Sequence, residues 1–287
     1  MNTLLKLAIT GLLLTFVNGH AQELQGTAYY QTKRKVSITL DSTSVSGDQQ
    51  KIINEMLKKQ FEKEFVLDFN KTSSVYKEVE SLGDASSGST GNISLNVVAV
   101  GIGGGGDDIL YKNTKNATFT HQRESFSKQF LVKDSLQKID WKLENETKQI
   151  GKYTCYKATH TREVEVQSFT SFNKDEEDGE TDKKVEKRTV VTTAWYTPQI
   201  PVAHGPGTHW GLPGLILEIN DGDSVMICNK IVMNPEEKIE IVEPKKGKKV
   251  SQKEFREISV KKAEEMSKIY GNGRKKGGNR VHFRIGG

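Results

Sequence analysis

The sequence predicts an α+β fold: a mainly antiparallel curved sheet or half-barrel, with one helix in its N-terminal half and one C-terminal helix. The sheet is predicted by short alternating apolar segments, separated by turn residues, that recur through residues 109–233. The helices are predicted by apolar residues at three- and four-residue spacings over residues 46–63 and 251–270. The hydrophobic fraction of 34% in 287 residues is enough for one core, and it excludes a wholly disordered protein.

The first 21 residues are predicted to be a secretory signal. Residues 1–6 give a short positive start, residues 7–17 an apolar stretch, and Gly19-His20-Ala21 a small-x-small cleavage site. A retained membrane anchor is the alternative, but the apolar stretch is shorter than the roughly 20 residues that span a bilayer. We therefore expect export to the periplasm and a mature chain that begins at Gln22.

The first part of the mature chain is predicted to form a strand over residues 27–40, the helix over residues 46–63, and a half-buried strand at residues 65–69. The composition then changes, and residues 83–108 are predicted to be a flexible insertion. Its glycine run at residues 101–106 leads into two aspartates and lacks the Lys-Ser/Thr pair of a phosphate-binding loop. The run therefore gives no sign of nucleotide binding.

The second part of the chain is predicted to be a series of short strands. We expect them at residues 118–120, 130–132, 141–143, 153–159, 163–169, 188–196, 215–219, 225–233 and 238–242. Residues 173–187, almost entirely charged or small, are predicted to be a second flexible insertion, within a hairpin.

The C-terminal helix is predicted to begin at a capping box formed by Ser251 and Glu254. Residues 22–270 then make one domain, and residues 271–287 make a basic, glycine-rich tail. Val281, Phe283 and Ile285 alternate in this tail, which is typical of a strand that forms on binding.

Charge divides the chain into an acidic body and a basic end. Residues 245–287 carry 14 Lys/Arg and 4 Asp/Glu, whereas residues 22–244 carry a net charge of −6. An exported protein meets anionic membrane surfaces or acidic partner proteins, so we expect no nucleic-acid partner. A solvated charged helix followed by a tail is the alternative to docking. The residues predicted to dock are Arg274, Lys275, Lys276, Arg280 and Arg284.

The two cysteines, Cys155 and Cys228, each lie in a predicted strand. In an oxidising compartment they are a candidate disulfide, which would stabilise the chain by about 4–5 kcal/mol in the chain-entropy model. The alternative is two buried thiols that pack as small hydrophobic groups. Nothing in the sequence shows that the two strands are adjacent, so both interpretations stay open.

A segment rich in proline and glycine follows the strand at residues 188–196. Four prolines remove four backbone donors within sixteen residues, so the segment is predicted to be a constrained loop that leads into the strand at residues 215–219. Such a loop serves equally well as a determinant of the fold or as the rim of a binding groove. The candidate binding residues are Trp195, Tyr196, Pro198, Pro201, Pro206, Trp210, Leu212 and Pro213.

His204, His209 and Glu218 are the candidate metal ligands in and after this loop. Two histidines five residues apart in a Gly/Pro loop lack a helix to align them, and no third ligand has a convincing spacing. No Gly-x-Ser-x-Gly motif is present either. We therefore expect no metal, no cofactor and no enzymatic activity, with a metal-dependent hydrolase as the weakest alternative.

The segment Trp195-Tyr-Thr-Pro-Gln-Ile-Pro-Val, then Gly205-Pro206, then Trp210-Gly-Leu-Pro-Gly-Leu-Ile-Leu-Glu resembles the GLPGLI family of exported bacterial proteins, which is named for the hexapeptide at residues 211–216. Residues 130–136, 141–143 and 150–158 also resemble that family, in the same order. Residues 203–209, the glycine run and the tail depart from its pattern. The resemblance implies no catalytic residues, because the family has no established activity.

The predicted element order is similar to the half-barrel of periplasmic lipoprotein carriers of the LolA type, in pattern only. We expect a non-enzymatic periplasmic binding or accessory protein that works with an outer-membrane assembly such as a TonB-dependent transporter. A periplasmic carrier of lipid or apolar peptide is the alternative.

Overall fold

One antiparallel sheet makes up most of the structure, a computed structural model that describes residues 24–34, 62–79, 108–170, 182–271 and 282–285. These residues contain thirteen strands and one helix. The elements are β1 (Gln25–Arg34), β2 (Glu62–Asn70), β3 (Ser73–Glu78), β4 (Ile109–Asn113), β5 (Thr118–Ser125), β6 (Lys128–Ser135), β7 (Lys142–Ile150), β8 (Tyr153–Thr170), β9 (Asp182–Thr197), β10 (Leu215–Asn220), β11 (Ser224–Met233), β12 (Lys248–Val250), α1 (Gln252–Gly271) and β13 (His282–Ile285).

The sheet is open, and its strand order is β12-β6-β5-β4-β3-β2-β1-β11-β10-β9-β8-β13, with β7 also paired to β8. Every pair of neighbours is antiparallel except β12 and β6, which are parallel. The predicted antiparallel sheet is therefore confirmed, and the described part of the chain is mostly β.

The C-terminal helix is also confirmed. The Ser251 amide donates to the Glu254 carboxylate at 2.7 Å, and the Glu254 amide donates to the Ser251 hydroxyl at 3.2 Å, which completes the predicted capping box. Phe255 then packs edge to face on Phe130 with ring centroids 5.3 Å apart, so α1 covers the sheet at β6 and β12.

The predicted N-terminal helix stays a prediction except at its last two residues, and one predicted strand is wrong. The N-terminal helix falls mainly on residues 46–61, outside the described residues, but Glu62 and Lys63 at its predicted end belong to β2. The strand predicted at residues 238–242 is wrong, because this segment has no strand pairing among the described residues and the residue after it is held by its side chain. The carboxylate of Glu243 accepts hydrogen bonds there from Thr120 on β5 and Lys133 on β6, at 2.6 and 2.7 Å.

The main core lies between the sheet and the loop that joins β9 to β10. Ile200 and Val202 of that loop pack with buried residues of several strands, among them Ala28, Leu67 and Leu215. The buried Tyr30 hydroxyl donates to the Ile216 carbonyl at 2.7 Å, which ties β1 to the start of β10. The loop is therefore one layer of the fold, and it holds most of the candidate binding residues.

The outer halves of β8 and β9, residues 160–170 and 182–192, form an arm whose tip also carries the short strand β13. The two strands pair from Tyr156↔Tyr196 to Thr170↔Asp182. In contrast, β10 pairs only with residues 193–197 of β9, and β7 only with residues 153–159 of β8.

The insertion predicted at residues 173–187 is shorter than predicted, since β9 begins at Asp182. Residues 173–181 and 83–107 lie outside the described residues. No helix in the described ranges is long and apolar enough to cross a membrane.

Candidate functional site

The candidate site is the signature loop, defined as residues 198–214. Its backbone is bonded to itself and to β10: the Gly211 amide donates to the Ala203 carbonyl at 3.1 Å, and the Ile216 amide donates to the His204 carbonyl at 3.0 Å. The predicted constrained loop is therefore folded back against the strand that follows it.

Lys112 on β4 holds the centre of the signature loop. Its side chain is fully buried, and its ammonium donates to the carbonyl oxygens of Gly205, Gly207 and His209 at 2.6, 2.6 and 3.1 Å. Burial lowers the pKa of Lys112 to about 7, whereas three acceptors for three N–H groups favour the charged form. The sequence analysis missed this residue. Its burial could have been inferred from its position, because Lys112 lies two residues after Leu110 in a strand and therefore on the same, apolar side.

The two histidines of the loop are structural. His204 is fully buried, and its Nε2 donates to the Asn70 carbonyl at 3.0 Å, whereas its Nδ1 has no hydrogen-bond partner among the described residues. Burial lowers the pKa of His204 to about 3 and that of His209 to about 4, so both rings are neutral at physiological pH. The Nδ1 atom of His209 lies 3.2 Å from the Pro206 carbonyl.

The candidate metal ligands are not brought together. The carboxylate of Glu218 accepts a hydrogen bond from Lys148 at 2.7 Å, and the Lys148 ammonium lies 4.4 Å from the centre of the Trp195 ring. In the described part of the chain no group of three or more His, Cys, Asp or Glu residues is arranged to hold a metal ion.

The hexapeptide at residues 211–216 has a structural role at almost every position. Gly211 has a positive φ of 92°, which other residues rarely adopt, and the backbone of Gly214 lies against that of Thr197 and Pro198. Leu212, Leu215 and Ile216 are all buried, with exposed fractions of 1% or less. Only Pro213 presents its side chain to solvent. The hexapeptide is thus chiefly a determinant of the fold.

The predicted binding residues divide into three groups. Tyr196, Pro206 and Leu212 are buried, and their role in binding stays a prediction. Trp195 and Trp210 are half-buried. Pro198, Pro201 and Pro213 are exposed and lie on the outer surface of the loop.

Two indoles fasten the signature loop to the segment before β7. The Trp141 Nε1 donates to the Trp210 carbonyl at 2.9 Å, and the Trp210 Nε1 donates to the Gln137 carbonyl at 3.0 Å. The Trp141 ring also lies 6.5 Å from that of His209. The contribution of Trp141 to this site was missed, because the sequence separates it from the loop by more than 50 residues.

The cysteines are two free, buried thiols. Cys155 lies on β8 and Cys228 on β11, with β9 and β10 between them in the sheet. Both nevertheless pack in the same core cluster, and as free thiols they correspond to the alternative of two buried small hydrophobic groups. Burial raises the pKa of Cys155 to about 11 and of Cys228 to about 12, which makes both thiols unreactive.

Of the predicted docking residues, only Arg284 lies in the described part of the chain. It belongs to β13 and pairs with Ser168 of β8. Arg274, Lys275, Lys276 and Arg280 lie outside the described residues.

Acid should destabilise the chain through His204. The folded state keeps this ring neutral, whereas the unfolded chain binds a proton below about pH 6.5, so stability falls as the pH is lowered. We expect wild type to lose about 1.6 kcal/mol more than a His204→Gln variant between pH 6.5 and 5, because the unfolded ring goes from half protonated to almost fully protonated over that range and one pKa unit corresponds to about 1.4 kcal/mol. Urea unfolding of both proteins at several pH values measures the difference, and parallel pH profiles would contradict it.

Comparison with known proteins gives a partial family match. A family model described as "Protein of unknown function (Porph_ging)" matches residues 141–218, a range that includes the whole signature loop. No curated protein matches the chain. Two solved structures of PNGF-II, in the C2 and P21 space groups, are similar at 13% and 14% identity, each with a TM-score of 0.46 and covering 83% of this chain. The chain spans 33% of the length of each PNGF-II chain.

Proposed function

We propose that this chain is a non-enzymatic binding or accessory protein of the periplasm that works with an outer-membrane assembly such as a TonB-dependent transporter. We also propose that it is a member of the family named for its hexapeptide, Gly-Leu-Pro-Gly-Leu-Ile. The observation that carries the proposal is the signature loop, whose inner side is held by buried side chains and whose outer side presents exposed prolines.

The loop suits binding because it is preorganised. Lys112 fixes three of its carbonyl groups, and the two indoles fix its far end. A loop that is already ordered loses little conformational entropy when it contacts a partner, which favours affinity. Pro198, Pro201 and Pro213 add rigid apolar surface on the solvent side.

The same contacts argue against a hydrolase. His204, His209 and Glu218 are each engaged in a structural interaction; both histidines are neutral, His204 is buried and His209 is half-buried. A bound substrate would have to displace these interactions before any of the three groups met it.

The partner test compares two exposed threonines. Thr208 lies on the outer surface of the signature loop, and Thr118 lies on β5, away from it. Affinity purification from the native envelope with wild type, Thr208→Arg and Thr118→Arg, followed by mass spectrometry, should recover one partner with wild type and Thr118→Arg. With Thr208→Arg we expect at least a tenfold loss at an unchanged unfolding midpoint. Equal recovery with both variants would contradict the role of the loop.

The basic end is tested in the same experiment. A chain that lacks residues 271–287 should retain the loop-dependent partner and lose fractionation with membranes. If membrane fractionation is unchanged by this deletion, the tail does not dock the protein to the envelope.

A periplasmic carrier of lipid or apolar peptide is the second candidate. This proposal includes a LolA-like half-barrel fold. It also includes the predicted N-terminal helix, whose residues 46–61 lie outside the described residues. It is favoured by two exposed apolar side chains on neighbouring strands, Leu143 on β7 and Tyr156 on β8, which are 57% and 39% exposed. Protein purified from the native envelope should then release stoichiometric lipid on denaturation. If no lipid is released, a lipid carrier is excluded.

A further inference from the structure

The C-terminal strand adds to the edge of the arm. In β13, His282, Phe283, Arg284 and Ile285 pair antiparallel with Thr170, Phe169, Ser168 and Gln167 of β8. This is β-strand addition, in which an extended segment completes a sheet by main-chain hydrogen bonds. The alternation of Val281, Phe283 and Ile285 predicted a strand in this tail.

The edge of β8 is longer than the strand that occupies it. From His160 to Thr170 the edge has eleven residues, and β13 pairs with the last four. β7 pairs only as far as Thr159, so in the described part of the chain no strand pairs with residues 160–166 on this side. Thr161, Arg162 and Glu163 are exposed there. A longer segment would therefore make more main-chain hydrogen bonds than β13 does.

The charges of the two sides are complementary. Residues 160–170, the outer half of β8, contain two Asp/Glu and one Lys/Arg. The tail at residues 271–287 contains five Lys/Arg and no Asp/Glu. The other strand of the arm is different, because residues 182–190 contain four Lys/Arg and two Asp/Glu. Charge thus directs a basic segment to the β8 edge rather than to the β9 edge.

We infer that the outer edge of β8 is a strand-addition site for an extended peptide segment of another protein in which basic and apolar residues alternate. The C-terminal strand is a self-ligand of this site, and a longer partner segment of the same chemistry displaces it. The site is separate from the signature loop, so the chain has two surfaces for two kinds of contact.

The test uses a labelled peptide with the sequence of residues 279–287 and the full-length protein. Phe283→Pro removes a backbone donor and disrupts β13 without touching the β8 edge. We expect the peptide to bind Phe283→Pro at least tenfold more tightly than it binds wild type, and to bind less tightly as salt is added. Gly287→Pro, a proline in the same tail beyond the strand, should behave as wild type. Equal binding to wild type and Phe283→Pro, or binding to neither, would overturn the inference.

Two further measurements test whether charge contributes to binding and whether β13 comes from the same chain. A peptide with both arginines replaced by glutamate should bind at least tenfold more weakly, and unchanged binding would show that charge does not contribute. Phe169→Cys with Phe283→Cys places thiols at directly paired positions, and oxidation should give a crosslinked monomer that no longer binds peptide. A crosslinked dimer would overturn the self-ligand assignment, because the strand would then come from a second copy. These assays use purified protein, so their outcome does not depend on whether the signature loop captures an envelope partner.

Discussion

A Lys112→Met variant is expected to lose about 3–5 kcal/mol of unfolding free energy and the fixed conformation of the signature loop. The change leaves the carbonyl groups of Gly205, Gly207 and His209 without their donor, and an unsatisfied buried polar group costs about 1–3 kcal/mol. Loss of the buried charge offsets part of that cost, because the ammonium is fully desolvated in the native state. Urea unfolding measures the total effect, and amide hydrogen exchange at residues 203–211 measures the local one.

Lys115→Met is the matched control for this experiment. Lys115 follows β4 by two residues and is exposed, so the same substitution there should change stability by less than about 0.5 kcal/mol. If both variants unfold at the same urea concentration as wild type, Lys112 does not hold the loop. If Lys112→Met is destabilised without faster exchange at residues 203–211, the residue stabilises the core and not the loop.

The local elements of this fold were predictable because their causes are local. Period-two alternation predicted the strands, and the Ser251 and Glu254 spacing predicted the start of α1, since a capping box needs only four residues. Residues 238–242 misled the same reasoning. Their apolar residues alternate as a strand would, but among the described residues no strand pairs with the segment, and the next residue, Glu243, bonds through its side chain to Thr120 and Lys133.

The organisation of the site was not predictable, because it depends on contacts between distant residues. Lys112 meets carbonyl groups more than 90 positions away, and a lysine in an amphipathic strand is ordinarily assigned to solvent. The buried state of Tyr196 and Pro206 likewise follows from how the loop folds back on β10. The proline and glycine content indicated a constrained loop without showing which side faces inward.

A Gly214→Ala variant is expected to be the most damaging single change within the hexapeptide, with a loss of about 3 kcal/mol or more. A Cβ atom at this position would overlap the carbonyl oxygen of Thr197, and it would lie 2.5 Å from the Thr197 carbonyl carbon and 2.8 Å from the Pro198 nitrogen. All three are backbone atoms at the end of β9, so no side chain can rotate away. Overpacking typically costs about 1–3 kcal/mol where side chains can adjust, and more where they cannot.

Gly207→Ala is the control for this variant, because it measures the cost of replacing a glycine of the same loop where an added Cβ meets no close backbone. Gly207 has a positive φ of 55°, but no atom of the described residues lies within 4 Å of an added Cβ, so alanine there should cost only the backbone strain, about 1–2 kcal/mol. Thermal and urea unfolding of the two variants should therefore differ by at least about 1 kcal/mol. Equal destabilisation would show that conformational freedom alone explains the glycines. A larger effect at Gly214 would show that the hexapeptide is retained because β9 and β10 meet there backbone to backbone, and the exposed prolines are then the part of the loop left to contact a partner.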